Sequence, residues 1–148
     1  MARSTVVLAA VGALTLMPAS GIAHGRDHTL TIKARSQLDR VHLVDNAPAG
    51  DSAGDMLVFT ERLLDAGGKV IGSDAATCVR LFDRESLCTG TYKLRGGRLM
   101  VQLVQPGPTG TYDQSITGGT GRFAGARGTV TVAQSSNGDR FRFKIRLD

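Results

Sequence analysis

Polar and apolar residues alternate strictly near the end of the chain, where Arg140, Arg142, Lys144 and Arg146 interleave with Phe141, Phe143, Ile145 and Leu147. A two-residue period belongs to a strand that buries one face and wets the other. Shorter runs of the same kind recur upstream. Thr29 to Arg35 and Arg40 to Asp45 predict first strands, Met56 to Leu64 a long apolar one, and Lys69 to Leu81 and Leu87 to Arg95 two more. Further runs follow Gly96-Gly97, then Thr111 to Thr117 and Gly128 to Ala133. Turn chemistry separates them: Pro48 with glycines between Asn46 and Gly54, Ala66-Gly67-Gly68, Gly96-Gly97, Pro106-Gly107-Pro108, and Asn137-Gly138, the strongest hairpin signal of the set.

Eight or so short strands joined by hairpin turns, with no amphipathic helical stretch after the first residues, predict an all-β antiparallel barrel or sandwich. Residues 1–23 carry a different pattern: Arg3, an apolar stretch from Val6 to Met17, then Gly21-Ile22-Ala23. That is the pattern of a cleaved secretory signal, and it is too short to span a bilayer. The expectation is a secreted, extracellular protein without stable membrane insertion, its domain occupying residues 24–148. About 125 residues suffice for one core.

Export places Cys78 and Cys88, the two cysteines, where a disulfide persists. A hairpin around Asp83 to Ser86 sets them at mirror positions, so a pair is expected, with two buried thiols as the alternative. Two cysteines without nearby histidines fall short of a zinc set, and His24-Gly25 lacks a suitably spaced second histidine for copper. No metal and no cofactor are expected. The net charge of +5 is mild and gathers on the last strand. Those cations read either as a solvated outer face or as attraction to an anionic surface. With two tyrosines and no tryptophan there is little to stack bases on, so nucleic acid is not an expected partner.

Among the carboxylates Glu61 stands out, because it shares a strand face with Leu57, Phe59 and Leu63. An acid in such surroundings has its charged form disfavoured, which suits general acid or base work; a strand-end glutamate paired with an arginine is the plainer alternative. Asp74, Cys78 and Arg80 share a parity that either lines a polar wall or faces water, with Arg80 expected outside. Tyr92 and Tyr112, the latter on a face with Gln114 and Ile116, are candidate phenol donors. Nothing around Ser73, Ser86 or Ser115 has the form of a nucleophile elbow.

Gly118-Gly119-Thr120-Gly121, with Gly125, invites comparison with a dinucleotide-binding turn, but Arg127 to Val132 is β-branched and alternating, so no helix follows. The segment GGTGRFAGARG, preceded by GDMLVFTERLLDAGGKVIGSDAATC and CTGTYKLRGGRLMV, resembles the dirigent and allene oxide cyclase family, in a bacterial-type secreted form. The resemblance spans roughly residues 30 to 147. It implies a closed eight-stranded barrel around one small apolar ligand, which it steers through cyclisation or stereoselective coupling, an isomerase-like activity. It also implies that barrel acids and arginines handle the ligand, which carries a catalytic role to Arg127 beside Glu61 and Tyr92, with Phe59, Asp74 and Tyr112 as ligand contacts. Plant relatives associate as trimers, so a homo-oligomer is implied. A non-catalytic ligand-binding or cell-surface module on the same barrel is the alternative.

Overall fold

The structure, a computed structural model, describes residues 28–106, 110–136 and 138–147. The expected signal segment, His24 and Asn137 lie outside the described residues. Eight strands run β1 His28–Val44, β2 Met56–Leu64, β3 Val70–Arg80, β4 Ser86–Leu94, β5 Gly97–Gln105, β6 Thr111–Gly121, β7 Arg127–Ala133 and β8 Arg140–Leu147. Each pairs antiparallel with its neighbours, and β8 pairs with β1, so the sheet closes into a barrel. Among the described residues no helix is long and apolar enough to cross a membrane.

Closure follows from the alternation. Phe141, Phe143 and Ile145 of β8, Val130 and Val132 of β7, Leu99 and Val101 of β5 and Tyr92 and Leu94 of β4 are all buried, and their strand neighbours face outward. The inner rows meet at the axis, where the Tyr92 ring stands edge-on to Phe143 with centroids 4.8 Å apart and to Phe141 at 5.8 Å. These rings cross the barrel between opposite walls. They leave little of the hollow expected from an eight-stranded barrel.

Two sequence expectations change. The runs Thr29 to Arg35 and Arg40 to Asp45 are one strand, β1, kinked by a bulge between Leu38 and Arg40. An extra residue there bends the strand, and Asp39 turns outward to an ion pair with Arg62 at 3.1 Å. Beyond the bulge β1 pairs with β2 alone, because β8 pairs with it only from His28 to Arg35. The glycines Gly118 to Gly121, expected as a turn, instead end β6, and the turn proper is Arg122 to Gly125. A Cβ at Gly119 would run into the carbonyl oxygen of Phe123, so only glycine lets this turn fold back onto the strand. Phe123, 1% exposed, is thereby pressed into the barrel floor beside Leu99 and Ala126.

The hairpin connections alternate between ends. The turns after β2, β4 and β6 close the end sealed by Phe123. The described residues of the loops after β1, β3 and β7 lie at the other, open end. At that end the β1–β2 loop is held by Asp55, whose carboxylate accepts the Ser52 N–H at 2.8 Å and the Asn46 N–H at 2.9 Å. Those bonds hold its carboxyl below the usual range. Arg80, at the end of its strand, pairs with Asp51 at 2.9 Å and ties the same loop to β3. Cys78 and Cys88 sit directly opposite each other on β3 and β4, facing inward, and form the expected disulfide.

Candidate functional site

Register brings the acids together. Glu61 of β2 lies directly opposite Asp74 of β3, which lies directly opposite Tyr92 of β4. All three occupy inward rows, with side-chain origins of adjacent partners on the order of 5 Å apart. Two carboxyls therefore stand side by side inside a barrel whose walls are otherwise largely apolar. Asp74 is 5% exposed, and its Oδ1 has no hydrogen-bond partner. Burial, then repulsion from Glu61, pushes its carboxyl up to about 7, against a bond from the Ala75 N–H that favours the charged form.

Glu61 is half-buried and also raised, first by burial, with the Ser36 hydroxyl opposing and Asp139 adding to the shift. Being nearer water and bonded by Ser36, it ionises first, and Asp74 takes the repulsion. Asp139 is raised by burial in turn, although its carboxylate accepts the Ser135 N–H at 3.1 Å. Among the described residues no lysine or arginine is one of the charges that shift either acid.

Tyr92 is fully buried and donates its hydroxyl to Oε1 of Gln114 at 2.6 Å. Desolvation and the charge on Asp74 raise the phenol well above its ordinary value, so it stays protonated as a donor. Tyr112, half-buried on the Gln114 face of β6, is raised by burial and by Asp139, Glu61 and Asp74.

Two spaces meet these groups. A cavity of about 30 Å³ lies between Phe59, Asp74, Tyr92, Tyr112, Gln114 and the disulfide. It is water-sized. An open cleft of about 400 Å³ lies where β1 parts from the β7–β8 hairpin, with Ser36, Leu38, Glu61, Ser135, Gly138 and Asp139 around it. Its wall is held by the Ser36 N–H, which donates to the Asp139 carbonyl at 2.8 Å, and by the Asp139 N–H, which donates to the Ser36 hydroxyl at 3.1 Å. Glu61 thus faces the cleft and Asp74 the cavity behind it. Leu38, Val41, Leu43 and Leu57 add exposed apolar surface at the same end.

Of the residues singled out in the sequence, Glu61, Asp74, Tyr92, Tyr112 and Phe59 converge at this end of the barrel. Arg127 does not join them. It begins β7 on the outer parity, exposed and opposite Arg146, while Gly128 and Val130 take the inward places. Sequence reasoning missed Ser36 and Asp139, which meet Glu61 only through pairing of strands far apart in the chain.

The sequence profile of the allene oxide cyclase barrel-like domain matches residues 35–147. The chain belongs to this family. Curated proteins offer no sequence match to it. Among solved structures, a pyocyanin demethylase is 26% identical and superposes with a TM-score of 0.72, covering 78% of this chain and 99% of its own. A Diels–Alderase from Streptomyces koyangensis is 15% identical with a TM-score of 0.65, over 85% of this chain and 72% of that one. A pterocarpan synthase dirigent protein is 13% identical with a TM-score of 0.63, over 89% and 96%. The family barrel is therefore shared with cyclases and dirigent proteins.

Proposed function

We propose that this barrel binds a small, largely apolar molecule at its open end and steers its cyclisation or stereoselective coupling there, with Glu61 and Asp74 handling a proton. The observation that carries the reading is the direct cross-strand pairing of these two carboxyls in a walled-off interior, one oxygen of Asp74 unpartnered and facing the cavity. Two raised acids side by side, one losing its proton before the other, can give and take a proton near neutral pH. The enclosed space beside Phe59 admits only a small group, so the body of the ligand rests in the cleft against Leu38. Holding a flexible molecule in a near-attack shape supplies several kcal/mol without covalent help. Tyr92 and Tyr112 supply hydroxyls that stay protonated, and Arg127 has no part in the chemistry.

On this reading the protein acts outside the cell after loss of residues 1–23, as a homo-oligomer. Support for association comes from Leu38, Val41 and Leu43, exposed on the half of β1 that β8 does not pair. Native mass spectrometry of the protein from its own culture medium identifies a retained molecule and the subunit count together. With that molecule as substrate, Glu61→Gln lowers turnover about 10²-fold while its affinity stays within about twofold of wild type. Turnover by wild type no faster than the protein-free reaction contradicts catalysis and leaves a ligand-binding module, and equal rates from both proteins contradict the role given to Glu61.

A second reading draws on the demethylase, which has the highest identity of the three structures described. The same acid pair would then serve removal of the N-methyl carbon of pyocyanin as formaldehyde, with water supplying its oxygen and the phenazine ring taking up the two electrons. Incubation with pyocyanin separates the readings, since only the second gives a demethylated product.

A further inference from the structure

The outer face of β8 and its two neighbours is a second charged surface. Strand β8 points Arg140, Arg142, Lys144 and Arg146 outward, all exposed. Its neighbours add Lys33 and Arg35 on β1 and Arg127 on β7, also exposed. The other outward residues of these three paired segments are Thr29, Thr31, Thr129, Thr131 and Ala133. No carboxylate interrupts the seven cations, and among the described residues none of the seven is in an ion pair. The nearest outward acid across the sheet is Asp113 of β6, opposite Thr131, one strand beyond.

Register makes this costly. Arg127 faces Arg146, Lys33 faces Arg142, and Arg35 faces Arg140, three like-charge pairs in direct cross-strand contact positions. Such pairs destabilise a sheet. A wall needing only solubility would interleave acids. Alternate residues of a strand lie about 6.8 Å apart and strands about 4.8 Å apart, so the patch measures roughly 10 by 20 Å. That is about one positive charge per 3 Å of its length. Five of the seven are arginines, whose guanidinium forks match phosphate oxygens two at a time. Threonine hydroxyls between them add further donors. No aromatic ring is present on which a base could stack, and no apolar side chain that could enter a membrane.

We propose that this face binds inorganic polyphosphate, a linear chain carrying a charge on every unit and nothing else to be read. The patch is separate from the acid pair and does not depend on the proposed chemistry.

Binding of long-chain inorganic polyphosphate to the full protein, followed by titration calorimetry over a range of salt concentrations, tests it. Each phosphate neutralised contributes about 0.7 to the log–log salt slope, so full engagement gives a slope of about −5. Arg142→Gln with Lys144→Gln reduces the slope by about 1.4 and weakens binding about tenfold at low salt. Lys93→Gln with Arg98→Gln removes an exposed cross-strand pair of cations from the β4–β5 wall, an equal loss of charge. That control keeps wild-type affinity. Absence of salt-dependent binding overturns the proposal, as does equal weakening by both double variants. Tighter binding of duplex DNA or of phosphatidylglycerol vesicles than of polyphosphate overturns the assigned partner.

Discussion

Asp74→Asn makes the protein more stable above neutral pH and removes its proton chemistry. In the native barrel the Asp74 carboxyl titrates at about 7, against an ordinary value of 3.8. Between those values the folded chain keeps a proton that the unfolded chain has shed, so stability falls as pH rises through the window. Three units at about 1.4 kcal/mol each give an upper bound of about 4 kcal/mol. Asparagine keeps the shape without the charge. Urea unfolding at pH 4, 6 and 8 should show the variant gaining about 2 to 4 kcal/mol on wild type between the first and last of these. Parallel stability curves for the two proteins contradict the assignment of a buried, raised acid. The same exchange lowers turnover of whatever substrate Glu61→Gln impairs, and a gain in stability coupled to a loss of activity is the signature of a functional site that strains its fold.

Phe123→Ala costs about 3 to 5 kcal/mol, the range for removing a fully buried aromatic ring. The ring seals the barrel floor at 1% exposure, and the Arg122 guanidinium lies 5.1 Å from its centroid on the outer side. Its turn is clipped by the Arg122 N–H to the Gly96 carbonyl at 2.9 Å and the Ala126 N–H to the Phe123 carbonyl at 3.0 Å. Gly121 sits at a φ of 62°, a conformation that a β-branched residue avoids. The expected loss is read as a drop in the urea midpoint without change of slope. A variant within about 1 kcal/mol of wild type would show that this segment is not a plug, and would reopen a ligand-handling role for the glycines and Arg127.

Much of the barrel could be read from local alternation. The period of two in β8 put Phe141, Phe143 and Ile145 inside, and the parity of β2 grouped Glu61 with Phe59 and Leu63 on the face that proved inward. The mirrored cysteines likewise needed only a hairpin between them. What local pattern could not supply was long-range register. That Asp74 faces Glu61, that Ser36 and Asp139 close on the same acid, and that β1 and β7 flank β8 with more cations are facts of pairing between strands, some of them more than a hundred residues apart. The role of Arg127 came from the family resemblance alone, and its exposed place at the start of β7 was not legible, because a glycine-rich stretch fixes neither where a strand begins nor which face its first residue takes. The narrow hollow was equally invisible, since it depends on how far Tyr92 and Phe143 reach across the axis.

Two interior carboxyls, Glu61 and Asp74, hold a single proton between them near neutrality. Carbon-detected magnetic resonance of protein labelled at aspartate and glutamate carboxyls, titrated from pH 3 to 9, observes it directly. Asp74 is expected to show its midpoint near pH 7, with Glu61 losing its proton first and still above the ordinary carboxylate range, and to move down in Glu61→Gln. Both carboxyls titrating together near pH 4, as they would in water, would contradict it.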